Sequence, residues 1–234
     1  MTTTTRDGSG GGAGAAELFT VDQLVEISQN PDPVANDLAG DRAALVPEMK
    51  KGGIVTKNQI TAFLANICQE TDWLNTLEEY GDEGYFRWGP PDGDGVYLGD
   101  QWRYHGRGYI MNTWLEAYQR LSSVLGVDLV SNPDLLARRK DLAARAAVWY
   151  WNMRGCGPVA DRGDFEGVCS LINRGELVPR GRIHGWKDRL AAYERAKSVI
   201  GTGTEPVTQS VTEIAIGRSE SVADQITLVY DREG

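Results

Sequence analysis

The run from Thr56 to Gly81 constrains the fold more than any other part of the chain. Ile60, Phe63, Leu64 and Ile67 recur at the i, i+3, i+4, i+7 spacing of one buried helix face. Thr56 and Gln59 form a capping box and Val55 and Ile60 a hydrophobic staple, so the pattern predicts a helix starting at Thr56. At about 100° per residue, Glu70 falls on the edge of the apolar stripe. A carboxyl there is expected to be half desolvated and to keep its proton long enough for general-acid work. Glu79 follows nine residues later. On a continuous helix it would lie half a turn round and roughly 13.5 Å along, and the two carboxylates would diverge. They can face one substrate only if the helix ends near Trp73 to Asn75, which the weak helix formers Asn75 and Thr76 permit. Glu70, Glu78 and Glu79 equally fit a solvated helix end.

Between Gln69 and Asp100 nine carboxylates stand against one base, Arg87. With a net charge of −9, this argues against a nucleic-acid partner, which needs a basic face. Ten aromatic residues lie between Trp73 and Trp114. Aromatic faces beside carboxylates suit a cleft that stacks sugar rings, although the same rings fit a small satellite core beneath a loop. From Tyr80 to Tyr109 the helical period gives way to Gly, Pro and Asp, so a long loop is expected, with short strands at Gly95–Leu98 and Gln101–Tyr104. Asp92 and Asp94 begin a calcium-loop pattern, but Val96 takes the next ligand position and no Glu closes the frame, so no metal is expected.

Residues 1–16 are Thr- and Gly-rich and predict a disordered leader. Thr20 with Gln23 opens a short helix to Ser28, and a second is expected from Ala35 to Lys50, interrupted at Gly40-Asp41 and closed by Gly52-Gly53. Thr113 with Glu116 can cap a helix carrying Leu115, Tyr118 and Leu125; Ser131-Asn132-Pro133 announces the next. Leu142, Ala146, Trp149 and Met153 mark a long helix ending at Gly155. Phe165, Val168, Cys169 and Ile172 mark another, ending at Asn173-Arg174-Gly175. The last runs from about Arg182 to Ile200, with Trp186, Leu190 and Tyr193 on its buried face. Residues 17–200 thus form one domain, with 201–234 a linker and a partial C-terminal segment holding two short strands, Thr212–Gly217 and Gln225–Tyr230. The odd count of cysteines, Cys68, Cys156 and Cys169, reads as buried thiols. No stretch has the length and apolarity for membrane insertion, and the N-terminal residues lack a signal-peptide pattern. A cytoplasmic protein is expected, or one that leaves by a route outside its own sequence.

Phe63 to Glu70 followed by Leu77-Glu78-Glu79, then Gly106 to Thr113 (GRGYIMNT), then Ile172-Asn173-Arg174-Gly175, resembles glycoside hydrolase family 19, the plant-type chitinases and many phage endolysins. The resemblance spans Leu18 to Ile200 and is closest in look to the lysin A enzymes of actinobacteriophages. It implies a mainly α, lysozyme-like bilobed domain with a cleft, a long aromatic-rich loop region and little β. Glu70 matches the general acid, Glu79 the general base that activates water, Thr113 the hydroxyl that helps hold that water, and Asn173 a sugar contact. Thr113 can serve as cap, as catalytic hydroxyl, or as both. Trp73, Tyr104, Arg107 and Tyr109 are the further candidates for the substrate cleft, Arg107 being also a structural partner of cleft carboxylates. Three positions depart from the family pattern: Gln69 for the usual His, Met111 for Gln, and Trp114 for a small residue.

The implied function is inverting hydrolysis of β-1,4 bonds in peptidoglycan glycan strands, for host lysis, by a monomer needing no cofactor, with the carboxyl groups about 6.5–9.5 Å apart. As an endolysin it would wait in the host cytoplasm until the membrane is permeabilised and then reach the wall. A chitinase is the alternative within enzymes. A non-catalytic wall-binding or virion module is the alternative from another class, and it would require neither glutamate.

Overall fold

Residues 17–88 and 99–207 are described by the computed structural model. Along them run α1 (Val21–Ser28), α2 (Leu38–Lys51), α3 (Lys57–Glu70), α4 (Glu83–Trp88), α5 (Leu115–Leu125), α6 (Leu135–Arg138), α7 (Lys140–Met153), α8 (Cys156–Asp161), α9 (Phe165–Arg174) and α10 (Trp186–Ile200), with 3-10 turns at Gly99–Tyr104 and Arg180–Arg182. Among these residues no sheet forms. Pairing is confined to isolated bridges at Thr56–Pro206, Glu78–Arg107 and Arg107–Asn112. The expected mainly α-helical architecture is the one observed. The leader at 1–16, the calcium reading of Asp92 and Asp94, the strand at 95–98 and the two C-terminal strands fall outside the described residues.

α3 begins as its sequence predicts, with both halves of the Thr56–Gln59 capping box formed. It is buried more completely than one apolar stripe requires: every residue from Ile60 to Cys68 is buried. A helix enclosed all round is a central element. α10 packs closest to it, and Ala192 and Ala196 of α10 let the two backbones approach. Each fully buried Ile, Leu or Phe on α3 contributes about 1.5–3 kcal/mol. This core also takes in residues from α1, α2, α7, α8 and α9. A smaller second cluster joins Tyr118, Leu121 and Leu125 of α5 with Leu129, Leu136, Leu142 and Ala146. α7 belongs to both, turning Ala143, Ala147 and Trp151 to the larger core and Leu142 and Ala146 to the smaller. Two lobes joined by one helix leave a groove between them.

Several local expectations are overturned. Gly40-Asp41 does not interrupt α2, because Asp37 accepts from the Gly40 amide and starts the helix just before it. Gln101–Tyr104 lies in a 3-10 turn rather than a strand. On α10 the buried face is Arg189, Ala192 and Ala196, while Leu190 is exposed. The chain also stays in the domain past Gly201. Asn58 N–H donates to Gly203 O at 3.0 Å, Gly203 N–H to Asn58 Oδ1 at 2.9 Å, and Val207 N–H to Val55 O at 2.9 Å. These bonds tie residues 201–207 to the start of α3. Cys68, Cys156 and Cys169 are free and buried, as their sequence context predicts.

Candidate active site

α3 stops at Glu70, earlier than the end near Trp73 to Asn75 that the sequence predicts. Thr71 caps it and bends the chain: its hydroxyl donates to Ile67 O at 2.6 Å and accepts from Leu74 N–H at 3.0 Å. Asp72, Trp73 and Leu74 then take three successive left-handed conformations, with φ of 47°, 62° and 66°. Non-glycine residues adopt these at a cost of roughly 1–2 kcal/mol each. Asn30 offsets part of this by donating to Trp73 O at 2.8 Å and to Asn75 Oδ1 at 3.1 Å. The reversal turns the chain back beneath α3, so Glu79 can rejoin Glu70.

Leu77 to Glu79 then runs extended against the Gly106–Gly108 turn. Glu79 N–H donates to Gly106 O at 2.9 Å and Gly108 N–H to Leu77 O at 2.8 Å. On an extended backbone successive side chains point to opposite faces, and this separates the two adjacent glutamates. Glu78 accepts from Arg107 Nε at 2.9 Å and lies 3.0 Å from His105 Nε2. Burial works against its charge, but His105 and the Arg107 guanidinium outweigh it and hold Glu78 below the ordinary carboxylate range. Glu79 faces the groove and accepts from Gly106 N–H at 2.8 Å. A Cβ on Gly106 would lie 3.1 Å from that Glu79 oxygen, so glycine is what admits the carboxylate.

Arg189 is the site residue that the sequence reading missed. It is 1% exposed and donates to Glu70 at 2.5 Å, to Asn66 Oδ1 at 2.6 Å and to His184 O at 2.9 Å. Glu70, with its side chain 15% exposed, is thereby held by one oxygen at the wall of the groove. A signal was present: Trp186, Arg189 and Tyr193 share a helix face, and a charge among aromatics there demands a buried partner.

Glu70, Glu79, Met111, Thr113, Trp114, Trp149, Tyr150 and Asn173 line a groove of about 660 Å³. A second, of about 440 Å³, is lined by Asp72, Trp73, Glu78, Tyr80 and Asp188, and it shares Glu70, Glu79 and Met111 with the first; of the two, Glu78 reaches only this second groove, Glu79 both. The two carboxylates thus stand where the grooves meet. Trp73 is half-buried beneath Arg195, whose guanidinium lies 5.1 Å from its ring, and still reaches the second groove. Asn173 lines the first and accepts from His184 N–H at 3.0 Å. Thr113 lines it too, but caps nothing: Trp114 precedes α5 at φ 78°, and the Thr113 hydroxyl donates back to Met111 O at 2.9 Å.

Three sequence candidates lie away from both grooves. Tyr109 is fully buried, and its hydroxyl donates to Asp41 at 2.6 Å. Burial, with Asp41 beside it, pushes that phenol well above its usual range. Tyr104 packs on Tyr118 and donates to Val130 O at 3.2 Å, as part of the smaller cluster. Arg107, 4% exposed, bonds Glu78, Asp134 at 3.0 Å, Arg103 O and the Tyr118 hydroxyl, which makes it a structural cation. The aromatic-rich region is therefore divided. Phe86, stacked on His105, joins Tyr104 and Tyr109 in packing, while Trp73, Tyr80 and Trp114 face the grooves.

The sequence model for class I chitinases, glycoside hydrolase family 19, matches residues 48–161. An Arabidopsis thaliana endochitinase is 34% identical over 128 residues, 55% of this chain and 43% of its own length. Rice chitinase 8 (Oryza sativa subsp. japonica) is 28% identical over 166 residues, 63% and 62% of the two chains. The chain spans about half the length of the curated relatives it matches. Among solved structures, a bacterial family 19 chitinase superposes with a TM-score of 0.56 at 27% identity, over 80% of this chain and 97% of that one. Chitinase C from Streptomyces griseus shares the fold, with a TM-score of 0.58 at 23% identity over 83% and 98%. The ordered motifs, the helical fold and the sequence match agree: over residues 48–161 the chain is similar to glycoside hydrolase family 19, and its fold is that of a family 19 chitinase.

Proposed function

We propose that this protein hydrolyses β-1,4 bonds between N-acetylated amino sugars by an inverting, two-carboxylate mechanism. The observation that carries the proposal is the position of Glu70 and Glu79 at the junction of two grooves, so that a bound strand has sugars on both sides of the pair. Arg189 holds one Glu70 oxygen and leaves the other for the glycosidic oxygen, to which a protonated Glu70 delivers its proton. Glu79, steadied by the Gly106 N–H, takes a proton from the water that attacks the anomeric carbon on the opposite face. The Thr113 hydroxyl donates to Met111 O and keeps its lone pairs for that water. The relatives named above are chitinases, which supports chitin or a chitin-like strand as the substrate class.

A second reading, peptidoglycan hydrolysis by an endolysin-type enzyme acting at the wall after membrane permeabilisation, is favoured by Arg120, Arg154 and Arg174 in the first groove. Incubation with chitin oligomers and with bacterial peptidoglycan tests both. New reducing ends, with the fresh anomeric centre inverted by NMR before it mutarotates, are the expected products. Anhydro-terminated fragments, about one water lighter, would remove the water-activating role from Glu79. Binding without any product would assign the cleft to a wall-binding module.

A further inference from the structure

The first groove carries more positive charge than hydrolysis of a neutral glycan uses. Arg120 of α5, Arg154 just after α7 and Arg174 of α9 all line it, and none is ion-paired among the described residues. Arg154 is built into the wall. Its Nη1 donates to Gly175 O at 3.1 Å and its guanidinium lies 5.0 Å from the centre of the Tyr150 ring. Gly175, at φ 74°, makes room for it, since a Cβ there would lie 2.8 Å from Arg154 Cζ. Arg154 Nε is buried without a hydrogen-bond partner, so the group is under-satisfied as it stands. Arg174 spends only its Nε, on Arg182 O at 2.7 Å. Of the carboxylates in this groove, Glu70 is paired with Arg189 and Glu79 is assigned to the reaction, which leaves Glu116 alone opposite three guanidiniums. In a chain of net charge −9 this is a local reversal of sign.

We propose that Arg120, Arg154 and Arg174 form a carboxylate-reading wall that selects an acid-bearing amino-sugar strand over a neutral one. The inference rests on the hydrolytic reading above and sharpens its substrate class. A neutral N-acetylglucosamine polymer presents no anion to these forks. A strand carrying a lactyl ether on alternate sugars presents one every second residue, at the geometry that a guanidinium meets with paired N–H donors. The acid has two sources in peptidoglycan, the lactyl carboxyl itself and the carboxylates of the stem peptides.

Three forms of one polymer separate these sources: peptidoglycan strands with stems, strands stripped of stems by an amidase so that the lactyl carboxylates are free, and stripped strands amidated with carbodiimide and methylamine. Binding is measured by titration calorimetry with Glu79→Gln to suppress turnover, alone and combined with Arg120→Gln/Arg174→Gln, whose exposed side chains can be changed without disturbing the Gly175 seat. At least one acid-bearing form is expected to bind about tenfold more tightly than the amidated form, roughly 1.4 kcal/mol. The stronger of the two identifies the source, and the arginine substitutions should abolish the preference. Equal binding of all three forms, or a preference that survives both substitutions, overturns the proposal. Hydrolysis is scored separately with the unsubstituted protein. Preference without cleavage would remove the hydrolytic reading and leave the wall; cleavage without preference would do the reverse.

Discussion

Glu78 and Glu79 are adjacent in sequence and should fail in opposite ways when each is changed to Gln. Glu78 lies against Arg107, which is 4% exposed, and removing its charge withdraws a partner from a buried cation. Loss of one member of a fully buried pair costs about 3–5 kcal/mol. The Glu78 side chain is 46% exposed, and Arg107 keeps Asp134, Arg103 O and Tyr118, so screening reduces this to about 1–2 kcal/mol. In a domain of 150–250 residues that is a fall in Tm of about 2–8 °C. The loss should depend on pH with a fixed sign. The folded-state pKa of Glu78 lies below its ordinary value of 4.5, so its contribution is complete above that value and is lost as pH falls through the folded one. Urea unfolding of wild type and Glu78→Gln should therefore differ near neutrality and converge in acid, with turnover little changed. Glu79→Gln should lower kcat by roughly 10²–10⁴, the range for a general base, while its amide oxygen can still accept from Gly106 N–H. Equal losses of turnover at both positions, or a Glu78→Gln destabilisation that does not shrink as the pH falls below the ordinary carboxylate range, would refute the assignment of the two side chains to opposite faces.

Arg189→Met should destabilise the fold by about 3–5 kcal/mol, a drop in Tm on the order of 10 °C, because Glu70 and the buried Asn66 both lose their donor; calorimetry checks this, and a Tm within 2 °C of wild type would contradict it. A chain ending at residue 200 should be about 2 kcal/mol less stable than one ending at 207, since three backbone-directed bonds to Val55 and Asn58 are lost at about 0.5–1.5 kcal/mol each; equal urea midpoints would place the boundary at Gly201. Burial pushes Cys68, Cys156 and Cys169 up to about 12, so a thiol-specific chromophore should label none of them at pH 8 in native protein and all three in urea.

Local patterns, written in neighbouring residues, were legible without the structure. The capping boxes at Thr20 and Thr56, the apolar spacing of α3 and α9, and the end of α9 at Gly175 each depend on contacts within four residues, and each forms as read. The matching motifs also named Glu70, Glu79, Thr113 and Asn173, and all four line one groove. What failed depended on partners distant in sequence. Periodicity marks Tyr109 and Tyr104 as aromatic but is silent on whether Asp41 or Val130 waits for the hydroxyl. Thr113 and Glu116 have capping-box spacing, yet the backbone turns at Trp114 and the box never closes. The face that α10 buries was decided by α3: against so closely packed a helix the small residues Ala192 and Ala196 face inward, and Arg189 is drawn in with them to reach Asn66 and Glu70 across 123 and 119 residues of chain. A charge buried in this way is stable only where tertiary packing supplies its partners, so the helix face it shares with Trp186 and Tyr193 could flag Arg189 but not name Asn66 and Glu70.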